Sequence, residues 1–82
     1  MIRVRLLLFA VLRDIAGSGE TDLVLRIGST AGDVWQLLRE RYPELEGYGA
    51  PPMTAVNMEY VPPDTPLREG DELAFIPPVS GG

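Results

Sequence analysis

The chain has no cysteine and no histidine. Disulfides and the usual zinc-binding sets are thereby excluded, and with them two of the staples that small domains often need. With no thiolate and no imidazole, it also lacks the side chains that most often act as nucleophile, persulfide carrier or general base near neutral pH. Lysine is absent as well. All seven basic residues are arginine, most simply through codon bias, and no isopeptide bond can form to a side chain of this protein. Long hydrophobic runs are missing: the longest, Leu6 to Leu12, is far short of the ~20 residues of a membrane-spanning helix. That run follows Arg3 and Arg5 as in a signal peptide, but it lacks a small-residue cleavage site and passes straight into Arg13-Asp14. A soluble, cytoplasmic protein with no membrane partner is expected. Twelve acidic residues against seven basic ones give a net charge of −5 with no basic cluster, so a phosphate backbone is repelled and no nucleic-acid partner is expected.

What is present suits one small domain. The 82 residues are 45% hydrophobic, enough for a modest core and too few for two. From Met1 to Phe9 the sequence splits by period two, with Ile2, Val4, Leu6 and Leu8 on one face and Arg3, Arg5, Leu7 and Phe9 on the other. The second face begins polar and ends apolar, so it is either half covered by the protein or left open for something else. Val11 to Ala16 suits a short helical turn ended by Gly17-Ser18-Gly19, and Thr21 to Ile27 alternates as a strand with Leu23, Leu25 and Ile27 inward. The spacing then predicts a helix over Ala31 to Tyr42. Thr30 serves as N-cap, Asp33 completes a capping box and Pro43 stops the run. Its apolar stripe is Val34, Leu37, Leu38 and Tyr42, with Trp35 at the edge as packing rather than as a ligand platform. Glu44 to Pro52 reads as loop, Thr54 to Asn57 and Glu59 to Val61 as short strands, and Glu72 to Ile76 as the last strand.

Strand, strand, helix, short strands, strand is the order of an α+β fold of the ubiquitin-like β-grasp type. In it a mixed sheet has one main helix packed on one face, and its first and last strands pair in parallel at the centre. With Val4, Leu6, Leu8, Leu73 and Phe75 inward, the open face carries Leu7, Phe9, Ala74 and Ile76, an apolar patch of the kind that marks a partner surface. Residues 1–76 form the domain. Residues 77–82, Pro77-Pro78-Val79-Ser80-Gly81-Gly82, form a tail that two prolines hold extended and keep out of the sheet. Its last four residues reach ~13–14 Å when extended. Gly81 and Gly82 have no Cβ to obstruct a narrow passage, so the tail suits insertion into another protein's active site. A chance pair of terminal glycines on an ordinary binding domain is the bland alternative.

The stretch Gly70-Asp71-Glu72-Leu73-Ala74-Phe75-Ile76-Pro77-Pro78-Val79-Ser80-Gly81-Gly82, with Ala55-Val56-Asn57 and the opening run through Phe9-Ala10 and Arg13, resembles the MoaD/ThiS family of ubiquitin-like sulfur carriers. The similarity lies with the MoaD side, the small subunits of molybdopterin synthase. Carriers for thiamine or for tRNA thiolation share the Gly-Gly end but generally not the Phe-Ile-Pro-Pro-Val approach.

This resemblance implies that Gly82 is adenylated by an ATP-dependent, ubiquitin-activating-type enzyme. A sulfur donor then converts it to a thiocarboxylate, which gives up its sulfur to a cyclic pyranopterin precursor inside the large synthase subunit. The chain itself then binds no cofactor, and ATP is used by the activating enzyme. It is a sulfur-donating subunit of a sulfurtransferase rather than a catalyst, in a heterotetramer with two copies of each subunit. The physical logic agrees, since a chain-end carboxylate ionises at a pKa of ~3.3–3.7 and needs activation from outside. By the same resemblance Phe9, Tyr60 and Ile76 contact the activating enzyme and the large subunit, with Arg13 as a polar contact. Tyr60 can equally be a packing residue. Leu8, with Leu7 beside it, departs from relatives that more often carry aromatic side chains there.

Three other functions fit the same residues. A thiamine or tRNA thiolation carrier uses Gly82 identically with other partners, a protein modifier joins Gly82 to target lysines, and a plain binding domain does not use it. Removing Gly82 is expected to abolish function yet leave the thermal midpoint unchanged, because the tail lies outside the core. Differential scanning calorimetry of the truncated chain checks this, and a clear drop in the midpoint contradicts it.

Overall fold

The computed structural model describes residues 1–48 and 52–77. Five strands form one mixed sheet: β1 (Ile2–Leu8), β2 (Glu20–Leu25), β3 (Met53–Val56), β4 (Glu59–Tyr60) and β5 (Glu72–Ile76), in the spatial order β2-β1-β5-β3-β4. β1 runs antiparallel to β2 and parallel to β5, with Leu6 beside Leu73 and Leu8 beside Phe75, while β3 pairs antiparallel with both β5 and β4. Helix α1 (Ala10–Ala16) follows β1, and α2 (Ala31–Arg41) follows β2. This is the β-grasp arrangement that the order of elements predicts. No described helix is long and apolar enough to cross a membrane.

The period-two pattern of β1 is realised in full, with Ile2, Val4, Leu6 and Leu8 buried. Leu73 and Phe75 of β5 join them, and α2 covers this face with Ala31, Val34, Trp35 and Leu38. The Trp35 and Phe75 rings meet at 5.3 Å between centroids, tilted by 58°, a geometry that adds about 0.5–1.5 kcal/mol beyond the area buried. The capping box forms as expected. Thr30 Oγ1 accepts from the Asp33 N–H at 3.2 Å and Asp33 Oδ2 from the Thr30 N–H at 2.9 Å.

Several expectations need correction. Leu37 lies on the exposed flank of α2, because the bulk of Trp35 against Phe75 turns the buried stripe towards Ala31, Val34, Trp35 and Leu38. Tyr42 caps the helix rather than extending it. β2 stops at Leu25, and Ile27 is exposed in the turn that follows, where the Ser29 N–H donates to the Arg26 carbonyl at 3.1 Å. The expected loop after Pro43 begins as a 3₁₀ helix over Pro43–Tyr48. Proline stops α2 but suits the first turn of a new helix, Leu45 is buried in the core, and Arg39 holds Glu46 at 2.9 Å.

Asn57 and Met58 connect β3 to β4 with φ of 51° and 71°, the pair of positive values that a two-residue hairpin turn requires. Asn57 is tied down. Its Nδ2 donates to Asp71 Oδ1 at 2.9 Å, its Oδ1 accepts from the Glu72 N–H at 3.0 Å, and Asp71 Oδ2 also accepts from the Arg68 N–H at 2.7 Å. Met58 is 91% exposed and gains nothing for its strained backbone. Met58→Gly is therefore expected to raise stability by about 0.5–1 kcal/mol, and Asn57→Ala to lower it by about 1–3 kcal/mol. Urea denaturation of both variants checks the two signs, and destabilisation by Met58→Gly contradicts the strain argument.

Candidate functional site

The candidate site is the sheet face that α2 leaves uncovered. Register decides which side chains share it. Leu7 of β1 lies beside Ala74 of β5, Ala74 beside Ala55 of β3, and Ala55 beside Tyr60 of β4, so one row runs across four strands. Cross-strand partners point to the same side of a sheet, and Leu6, Leu8, Leu73 and Phe75 point to the other, into the core. In the next row towards the carboxyl ends of β1 and β5, Ile76 lies beside Met53. Phe9 extends β1 by one residue with φ −119° and ψ 155°, on the same side as Leu7. Of the expected patch, Leu7, Phe9, Ala74, Ile76 and Tyr60 are thus brought together on one face.

Their exposure separates them from the core. Leu7, Ala74 and Ile76 are half-buried, Phe9 is 44% exposed and Tyr60 is 67% exposed. The packing reading of Tyr60 is therefore overturned. It stands at the open edge of the row because β4 is the outermost strand and Ala55 beneath it is small. Met53, 51% exposed, lies one residue ahead of the strand start at Thr54 that the sequence predicts; the alternation of β3, with Thr54 inward, is the signal that finds it.

Phe9 owes its aim to an abrupt bend. Ala10 has a φ of 52°, a left-handed value that costs a residue with a Cβ roughly 1–2 kcal/mol, and this swings the chain from β1 directly into α1. Three residues on, Arg13 lies against the same end of the sheet, in a shallow notch of about 470 Å³ with Leu7, Leu8, Phe9, Ser18, Gly19 and Glu20. Gly17, with φ 77°, ends α1 and returns the chain to β2, its N–H donating to the Arg13 carbonyl at 2.9 Å.

The amino-terminal half of the same face is charged. Arg5 lies between Asp22 and Glu72 in register, and its guanidinium reaches Glu20 at 3.1 Å and Asp22 at 3.8 Å. These pairs are exposed and contribute at most about 1 kcal/mol each. They make a polar border to the apolar half. The face that begins polar and ends apolar in the sequence is therefore open along its whole length, and its apolar end lies where β5 hands over to Pro77.

Pro77 follows Ile76 and is half-buried. Pro78, Val79, Ser80, Gly81 and Gly82 lie outside the described residues. Two carboxylates have structural partners: Glu46 pairs with Arg39, and Asp71 accepts from Asn57 Nδ2 and from the Arg68 N–H. What the described face offers chemically is apolar docking area, a charged border and a chain leaving at its apolar end.

Comparison with known proteins agrees with this geometry. The ThiS family matches residues 6–82. The molybdopterin synthase sulfur carrier subunit of Chlamydomonas reinhardtii is 35% identical over 83 residues, covering 99% of this chain and all of that one. Among solved structures, a putative molybdopterin converting factor subunit 1 from Pyrococcus furiosus superposes with a TM-score of 0.83 at 28% identity, over 96% of this chain and 100% of the other. The small archaeal modifier protein 1 of H. volcanii does so with a TM-score of 0.82 at 29% identity, over the same shares. Fold, open face and a match that runs through the final glycine together show that this chain belongs to the ThiS family of ubiquitin-like β-grasp proteins.

Proposed function

We propose that this chain is the sulfur carrier of a molybdopterin synthase, docking through its open sheet face and delivering sulfur from Gly82. The observation that carries the proposal is the apolar end of that face, where Leu7, Phe9, Ala74 and Ile76 surround the point from which the chain leaves through Pro77. The full-length similarity to a carrier subunit of such a synthase gives it direction.

The chemistry runs outside the domain. A carboxylate oxygen of Gly82 attacks the α-phosphorus of ATP on an adenylating enzyme, and pyrophosphate leaves. Hydrosulfide delivered by the sulfur donor attacks the acyl carbon and expels AMP, and loss of its proton leaves the thiocarboxylate. In the large synthase subunit that sulfur bonds to a carbon of a cyclic pyranopterin precursor, and water cleaves the resulting thioester, leaving the sulfur on the precursor and returning Gly82 to a carboxylate. ATP is held by the activating enzyme, so this chain supplies only the acyl end, its direction of exit and the docking surface. The carrier works in the cytoplasm, where ATP is supplied.

Each proposed site residue has a distinct task. Leu7, Phe9, Ala74 and Ile76 bury apolar area against either partner, at about 25 cal/mol per Å² removed from water. Met53 and Tyr60 extend that area to the β4 edge, and Arg13 adds a charge at the rim. Pro77 and Pro78 direct the tail, Val79 and Ser80 span the entrance, Gly81 passes the narrowest point and Gly82 carries the sulfur.

Two outcomes test this. Incubation with the activating enzyme, ATP and a sulfur donor should exchange one oxygen for sulfur at Gly82, seen by intact-mass spectrometry with the large subunit co-purifying. Sulfur without that partner points to another thiolation pathway, and a covalent bond to a target lysine points to protein modification. Ile76→Asp or Met53→Asp should weaken binding to the large subunit by about 3 kcal/mol, roughly a hundredfold, because an unpaired charge is buried at the interface. Thermal midpoints near wild type would confirm that the loss is one of docking, and unchanged affinity would remove the residue from the surface.

A further inference from the structure

Gly19 is a glycine whose backbone does not call for one. Gly17, Gly28 and Gly70 have positive φ, whereas Gly19 does not. It sits in a defined place. The Leu8 N–H donates to its carbonyl at 2.9 Å, and Ser18 Oγ beside it donates to the Glu20 carbonyl at 2.8 Å. A Cβ added at Gly19 would lie 3.0 Å from Cδ and 3.4 Å from Cγ of Arg13, with the Leu8 carbonyl oxygen at 3.5 Å. The space that a side chain would fill is taken by the Arg13 methylenes.

We infer that Gly19 is a positioning residue for Arg13, and that the guanidinium so placed receives a carboxylate from the partner that covers the open face. The inference rests on the proposed docking function and deepens it by naming a chemical group the partner must present. Arg13 shares its notch with Leu7 and Phe9, so its charge stands at the rim of the apolar patch. The nearby acid, Glu20, is engaged by Arg5 at 3.1 Å, and Arg13 forms no ion pair among the described residues. Arg5 thus occupies the Glu20 carboxylate, and Arg13 stays unpaired among the described residues. Laying the stem across Gly19 restricts its rotamers before the partner arrives, which lowers the ordering cost of an arginine contact. A rim charge of this kind acts mainly on association rate and salt dependence.

The test is a double-mutant cycle on the full chain with the large synthase subunit, at low and at physiological salt. Arg13→Ala is expected to weaken binding about fivefold at low salt and to flatten the salt dependence. Gly19→Ala should reproduce most of that loss in the wild-type background and cause none in the Arg13→Ala background. Its thermal midpoint should hold or rise, since alanine at a compatible φ restricts the unfolded chain. In the free wild-type chain, nuclear Overhauser contacts from the Arg13 δ-methylene to the Gly19 α-protons should be present. Wild-type affinity in Gly19→Ala overturns the inference, as does an equal loss in both backgrounds or absence of those contacts. A wild-type chain that fails to bind the large subunit overturns the docking reading itself, and this inference with it.

Discussion

The parallel pairing of β1 with β5 brings Leu7 beside Ala74, two residues at opposite ends of the chain. Closing so long a loop costs about 4 kcal/mol of chain entropy, and no hairpin turn assists it. The compensation lies beneath the sheet. Leu6, Leu8, Leu73 and Phe75 project from these two strands into the face covered by α2, and Val4, Leu6, Leu73 and Phe75 are at most 1% exposed. Every other element serves that pairing. β2 and β3 flank it, the turn at Arg68 to Asp71 binds the start of β1 through the Gly70 N–H and the Arg3 carbonyl at 2.8 Å, and Asn57 ties that turn to the β3–β4 hairpin.

Because the two central strands run the same way, their carboxyl ends emerge on the same edge. The apolar end of β1, the exit of β5 and the start of α1 therefore meet, and the docking area lies next to the departing chain. An antiparallel pair would have put Phe9 and Ile76 at opposite edges. The charged half of the face follows from the same register, which sets Arg5 between Asp22 and Glu72. Those charges blunt the edge strand β2, and they confine the apolar area to the half from which the chain leaves through Pro77.

The arginines divide the labour. Arg5 and Arg39 are engaged in ion pairs with neighbouring elements, while Arg13 forms no ion pair among the described residues and is laid over Gly19. A carrier of this kind needs no reactive side chain of its own. In the proposed function the reactive group is the chain end, and the domain has only to present that end to its partners.

Much of this was legible in the residues alone. The period-two split of residues 2–9 and the capping box at Thr30 and Asp33 are local patterns, and local sterics and hydrogen bonding decide them. They sufficed to predict the β-grasp, the inward set Val4, Leu6, Leu8, Leu73 and Phe75, and the outward set Leu7, Phe9, Ala74 and Ile76. Only the tertiary structure decided the rest. Packing of Trp35 on Phe75 turned α2 and left Leu37 in water, the register of β3 on β5 brought Met53 to the face, and the passage of Arg13 over Gly19 joined two turns of chain. Periodicity reports which side of an element is apolar, but neighbours across a sheet or a helix are chosen by volume and register between distant segments, which no local pattern contains.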